Sequence, residues 1–183
     1  MRSSRALCLV AFLMLLVPAE GRAAYYRGGG DRIQVEFEIR GHWVRYGRVA
    51  TTQFCTDRKG RRFQRQIRVY WGQYAGRIPP RDSTSIYTTP FQFGPGGRIR
   101  VESVYTESVY SREIMTARVR PGYMTGSYLS MDTGLFAPRK AHCRTDRYWR
   151  LGSNSKRTEP LHFYAKRIPG GHPPRYRQFP DSV

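Results

Sequence analysis

The sequence predicts an all-β protein: a single antiparallel β-sandwich or a small up-and-down barrel of about eight strands, preceded by a cleaved signal peptide. Three observations lead to this fold class. Short runs of alternating apolar and polar residues recur about every 10 residues, and turn-forming residues separate them. After the N-terminal segment, no stretch of 11 residues or more shows the apolar spacing of an amphipathic helix.

The first 23 residues have the three-part layout of a secretory signal peptide. Two arginines precede an apolar run, Ala6–Val17, and small residues follow it. Its twelve residues are too few to cross a bilayer, which takes about 20 in a helix. We therefore expect cleavage after Ala23, with Gly21 as the alternative, and an exported protein, periplasmic or extracellular, that has no transmembrane anchor.

The remaining elements follow in chain order. Residues 24–32 contain three consecutive glycines, which impose no backbone geometry, and are predicted to be a flexible leader. The clearest strand is 33–39, where apolar and polar residues alternate with a period of two. Further strands are predicted at 42–54, 66–71, 85–93 (an edge strand, because of its proline), 98–120 with an internal turn, 123–131, 143–151 and 161–168. The domain is thus expected to span 33–168, followed by a disordered tail, 169–183, rich in proline, glycine and arginine.

The cysteine count predicts one disulfide. Removal of the signal peptide takes Cys8 away and leaves Cys55 and Cys143. An even number of cysteines in an exported protein indicates a disulfide, which here closes a loop of 88 residues. Two separate buried thiols are the alternative.

The charge is strongly basic. The formal net charge of +19 falls to +17 after cleavage, since the signal peptide carries three arginines and one glutamate. Of the 29 cations that remain, 25 are arginine, whose planar guanidinium forms forked contacts with phosphate, sulfate or carboxylate. A GC-rich genome is the alternative source of this arginine excess.

The segment 55–71, CTDRKGRRFQRQIRVYW, concentrates that charge. It contains a single acid and closes on aromatic residues, so it predicts a cationic loop between two strands. The candidate anion-binding residues are Arg58, Lys59, Arg61, Arg62, Arg65 and Arg68. For an exported protein the expected partners are anionic glycans, lipid headgroups or extracellular nucleic acid. A hairpin whose exposed charges merely prevent edge association is the alternative.

Catalytic and metal sites are not predicted. The four histidines lack the spacing of zinc ligands, and no cofactor motif is present. His142 and Cys143 are chain neighbours, which in a strand point to opposite faces. Glu36 and Glu38 lie on the polar face of their strand, where we expect solvent. We therefore expect a non-enzymatic protein.

A second function is compatible with the sequence. A barrel interior lined by aromatic side chains can hold a small apolar ligand. The candidate pocket residues are Trp43, Trp71 and Trp149.

Overall fold

The structure is a computed structural model that describes residues 23–72, 85–87, 91–105, 111–133, 141–145 and 159–173. These residues form β-strands and one short 3-10 turn, without an α-helix, which confirms the all-β class. The strands are β1 (Ala24–Gly30), β2 (Ile33–Arg40), β3 (Trp43–Thr56), β4 (Arg62–Trp71), β5 (Ser85–Tyr87), β6 (Phe91–Gln92), β7 (Arg98–Tyr105), β8 (Ser111–Val119), β9 (Tyr123–Thr133), β10 (His142–Arg144) and β11 (Leu161–Ile168).

Six strands close a barrel. Each of β3, β2, β1, β11, β9 and β10 pairs antiparallel with the next, and β10 returns to β3. Strands β4 and β5 extend the sheet beyond β3, and β8 and β7 extend it beyond β9. Of the two predicted architectures the structure therefore has the barrel, but its strand order is not up-and-down, because β10 lies between β3 and β9 and β11 pairs with β9.

The predicted flexible leader is instead the strand β1. It pairs with β2 along its whole length and with β11 from the other side. Its glycines are needed for close approach: a Cβ added to Gly28 would lie 2.1 Å from the carbonyl oxygen of Tyr164 on β11. The glycine run therefore lets three strands pack closely. The conformational freedom of glycine, on which the prediction of a flexible leader was based, did not indicate this role.

Aromatic side chains fill the interior. Phe37 stacks on Phe163 with ring centroids 6.1 Å apart, and Trp71 meets the edge of Tyr128 at 6.1 Å. All four are buried, together with the aliphatic residues of β2. Large rings bury enough area for a core that contains few leucines and isoleucines.

The predicted disulfide is present. Cys55 and Cys143 stand directly opposite each other on β3 and β10 and are both buried. Strand β10 has three residues, fewer than any other barrel strand, and it joins β3 to β9. The covalent bond thus lies at the seam that closes the barrel.

Several predicted segments lie outside the described residues: the signal peptide up to residue 22, the loop at 73–84, the turn at 106–110, most of the strand predicted at 143–151, and the tail from residue 174. Within the described ranges, the structure contains no helix with the length and apolarity needed to span a membrane.

Candidate anion-binding surface

The predicted cationic loop is a tight turn between β3 and β4. One carboxylate oxygen of Asp57 accepts hydrogen bonds from the backbone nitrogens of Lys59 and Arg61, both at 2.9 Å. Gly60 has a φ of +74°, a left-handed conformation that glycine adopts without steric cost. This geometry leaves the side chains of Arg58 and Lys59 exposed at the tip.

Arg61 has a structural partner. Its Nε donates to Oδ2 of Asp57 at 2.8 Å. Burial of Asp57 would raise the pKa of this carboxyl, but the hydrogen bonds from Arg61 and Lys59 outweigh burial and hold the pKa below its ordinary value. Asp57 is therefore charged at neutral pH and offsets the charge of Arg61.

The alternation of side chains along β4 places its cations on different faces of the sheet. Successive side chains of a strand point to opposite faces of the sheet. The inward side chains are Phe63, Arg65, Ile67, Val69 and Trp71, and the outward ones are Arg62, Gln64, Gln66, Arg68 and Tyr70. The six candidate cations thus occupy a turn tip, an outer face and the interior, rather than one exposed loop.

Arg65 lies in a buried polar network. Its Nε donates to Oε1 of Gln53 at 2.8 Å, and its Nη2 lies 3.0 Å from Oδ2 of Asp132. Nε2 of Gln53 in turn donates to Oγ of Ser130 at 2.8 Å. The prediction that Arg65 belongs to an exposed cationic loop is wrong, because this side chain neutralises a buried carboxylate.

A groove lies on the outer face of β2, β3 and β4. Its volume is about 340 Å³, and its floor includes Gln34, Ala50 and Gln66. Arg32, Arg48 and Arg68 also line it, and none of its described lining residues is acidic. Two acids lie next to these arginines: Oδ2 of Asp31 is 3.4 Å from Nε of Arg32, and Oε1 of Glu36 is 3.2 Å from Nη1 of Arg48. We call these three arginines, together with Arg62 and the tip cations Arg58 and Lys59, the hairpin face.

Arg32 is held firmly beside this groove. Its guanidinium carbon lies 5.1 Å from the centroid of the Phe54 ring, a cation–π contact. Its backbone carbonyl accepts a hydrogen bond of 2.6 Å from Oγ1 of Thr51. Both terminal guanidinium nitrogens are buried and have no hydrogen-bond acceptor among the described residues. Buried donors of this kind are best satisfied by an oxyanion.

Glu36, predicted to face solvent, is buried. Nη1 of Arg48 donates to one of its oxygens at 3.2 Å, and the hydroxyl of Tyr46 lies 3.5 Å from the other. Burial and, second, the Glu36 charge raise the pKa of Tyr25 to about 12. Tyrosine side chains thus cover this part of the outer face and exclude the solvent that the alternation predicted.

The two candidate tryptophans that the structure describes do not line a common cavity. Trp43 is 42% exposed, Trp71 is packed in the core, and Trp149 lies outside the described residues. Neither of the two cavities that we describe is lined by a tryptophan. Binding of an apolar ligand remains a prediction without structural support.

The adjacent pair His142 and Cys143 offers no thiol nucleophile. Cys143 is bonded to Cys55 and has no free thiol. Across the described ranges, no group of three histidine, cysteine or acidic residues is arranged to hold a metal ion.

Sequence reasoning did not single out Arg32 or Arg48. The alternation along β3 could have placed Arg48 on the outer face, because its neighbour Val49 is buried. Arg32 occupies a two-residue turn with a φ of +61°, and nothing in its local sequence indicates that it reaches Phe54.

Comparison with known protein families, with curated proteins and with solved structures finds no match to this chain.

Proposed function

We propose that the protein is an exported, non-enzymatic β-barrel that binds anionic polymers of the cell envelope or the extracellular space through the hairpin face. One observation carries the proposal. Arg32, Arg48 and Arg68 come from different strands and turns, yet they line one outer groove whose described lining includes no acid, with Arg62 further along the same face.

The chemistry of the hairpin face suits a polymer. Guanidinium groups bind phosphate, sulfate and carboxylate through forked hydrogen bonds. Arg62 and Arg68 are six residues apart on one strand, which corresponds to about 20 Å, so a single small anion cannot contact both. Binding that depends on several such contacts weakens steeply as salt is added.

Export is supported by the N-terminal segment. Ala24, the first residue after the predicted cleavage, is also the first residue of β1, where it pairs with Ile39. Cleavage after Ala23 therefore leaves the described barrel complete. N-terminal sequencing of the exported protein is expected to begin at Ala24.

A comparison of two variants that lose equal charge tests the function. One carries Arg58→Gln, Arg62→Gln and Arg68→Gln on the hairpin face, so it includes a residue that lines the groove; the control carries Arg40→Gln, Arg100→Gln and Arg167→Gln. Arg68 is half-buried and the other five side chains are exposed.

We expect the first variant to lose about tenfold in heparin affinity at about 0.1 M salt relative to the control, because charge-assisted contacts depend on position. Equal losses would mean that only net charge attracts the polymer, and the hairpin face would then not be a binding site.

A further inference from the structure

A pair of exposed tyrosines occupies the outer face of β9 and β11. The rings of Tyr123 and Tyr164 are stacked, with centroids 5.6 Å apart and an angle of 23° between their planes. They are 40% and 46% exposed, although Tyr164 lies between the buried Phe163 and Ala165. These rings therefore contribute little to the core and present aromatic surface to solvent.

Cations flank the pair on both sides. Lys166 stands opposite Tyr123, and Arg27 stands opposite Lys166 on β1. In the next row, Tyr164 stands opposite Thr125 on β9. Thr125 in turn stands opposite Arg118 on β8, and Arg118 stands opposite Arg98 on β7. Residues directly opposite in a sheet share a face, so these four exposed cations surround the rings over a width of about 20 Å.

A groove runs beside the tyrosines. Its volume is about 570 Å³, and Arg98, Arg118, Thr125, Ser127 and His162 are among its lining residues. Arginine donates hydrogen bonds only, and the hydroxyls can donate as well as accept. This combination suits the oxygens of a phosphate chain.

We infer that this surface, the Tyr123–Tyr164 platform with Arg27, Lys166, Arg118 and Arg98, binds single-stranded nucleic acid. Bases stack on the tyrosine rings while phosphates contact the flanking cations, as in other sheets that present aromatic residues to a single strand.

An anionic glycan is the competing occupant. Along β1, β11, β9, β8 and β7 the two rows provide the two tyrosines, the four cations and Thr125. On β2 the first row continues to Glu36, whose Oε1 lies 3.6 Å from Nε of Arg27, and the second continues to Gln34. Because four cations stand against one carboxylate and the stacked rings suit flat bases, the surface favours a phosphate polymer that carries bases. The two tyrosines lie on strands other than the hairpin, although Glu36 contacts both Arg27 of this surface and Arg48 of the hairpin face.

The test separates stacking from charge. The probes are a thymidine oligonucleotide of about 12 residues, within the range of known site sizes, and an abasic deoxyribose-phosphate strand of equal length and charge. Affinities are measured by fluorescence anisotropy at about 0.1 M salt. The wild-type protein is expected to prefer the thymidine strand at least about fivefold, since each stacked base adds measurable affinity.

The variant Tyr123→Ala/Tyr164→Ala is expected to lose that preference while it keeps its affinity for the abasic strand. Tyr123→Leu/Tyr164→Leu keeps apolar surface without rings and is also expected to lose the preference for the thymidine strand. This variant replaces the alanine variant in the test if the alanine variant does not fold. The Phe/Phe variant should retain the preference. The control Trp43→Ala removes an equally exposed aromatic residue elsewhere and should leave the preference unchanged.

Three results would overturn the inference: equal wild-type affinity for both strands, a base preference that survives loss of the rings, or a heparin affinity that falls in the tyrosine variants as much as the affinity for thymidine. None of these depends on the hairpin-face variants, so the two proposals fail separately.

Discussion

Nη2 of Arg65 lies 3.0 Å from Oδ2 of Asp132, and the two side chains are 16% and 3% exposed. They reach each other across the interior from β4 and β9, which do not pair with one another. In a chain rich in outward arginines, this one holds two parts of the sheet together. Its role in stability can therefore be separated from the binding role proposed for its neighbours.

Removal of the guanidinium is expected to destabilise the fold. Arg65→Ala leaves the Asp132 carboxylate buried without its cation, which costs about 3 kcal/mol in the free energy of unfolding. For a domain of this size we expect the melting temperature to fall by about 10 °C. Arg62→Ala, three positions away on the outer face, should change the unfolding free energy by less than about 0.5 kcal/mol.

The double variant Arg65→Met/Asp132→Leu distinguishes the cause. It removes both charges, so it should recover part of the lost stability. Thermal denaturation of the variants would contradict this account if Arg65→Ala and Arg62→Ala melted alike.

The disulfide should hold the barrel seam. Cys55→Ala/Cys143→Ala frees an 88-residue loop in the unfolded chain, which the chain-entropy model values at about 4 to 5 kcal/mol. Because β10 is three residues long, its amide protons should exchange first when the bond is lost. Hydrogen exchange that remained slow in β10 of the variant would show that pairing alone closes the barrel.

Acid should weaken the β3–β4 turn. The pKa of Asp57 lies lower in the folded protein than its ordinary value of 3.8. The ionised carboxyl therefore contributes stability that is present above about pH 4 and is lost as the pH falls through the folded pKa. NMR titration of the Asp57 side chain measures that pKa, with Asp57→Asn as a control that lacks this pH dependence. Titration at or above 3.8 would contradict the proposed turn geometry.

Alkali should act on Tyr25. Its pKa is raised from 10.0 to about 12, first by burial and then by the charge of Glu36. The protonated phenol therefore contributes stability that is present below pH 10.0 and lost as the pH rises towards 12. In an ultraviolet titration, Tyr25→Phe should remove a late-titrating phenol. Glu36→Gln should lower the Tyr25 pKa without restoring 10.0, because burial remains; an unchanged pKa would exclude a Glu36 contribution.

Alternation predicted much of the fold. Strand β2, the C-terminal part of β4 and β9 lie where a period of two indicated strands, β3 lies where β-branched and aromatic residues did, and the cysteine count identified the disulfide. The barrel closure was not accessible, because it depends on the three-residue β10 pairing with β3, which is distant in the sequence. The glycines of β1 were misjudged for a similar reason: their close approach to β11 is a tertiary contact.

The candidate site was predicted in part. The charge-rich segment does form a hairpin, but charge density alone did not separate Arg65, which faces inward, from Arg62 and Arg68. Extending the alternation of Ile67 and Val69 two residues towards the N-terminus would have placed Arg65 inside. Burial of Glu36 depends on tyrosines from neighbouring strands, which periodicity within one strand cannot reveal.

The most direct test of the hairpin face follows each arginine by NMR. The Nε–H signals of Arg32, Arg62 and Arg68 are recorded while a heparin oligosaccharide is added, with Arg65 as the internal control. The outward arginines are expected to shift on binding, whereas Arg65, bonded to Gln53 and Asp132, stays in place. Equal shifts for Arg65 and the outward arginines, or none for the outward ones, would contradict the proposal that strand parity separates binding from structural arginines.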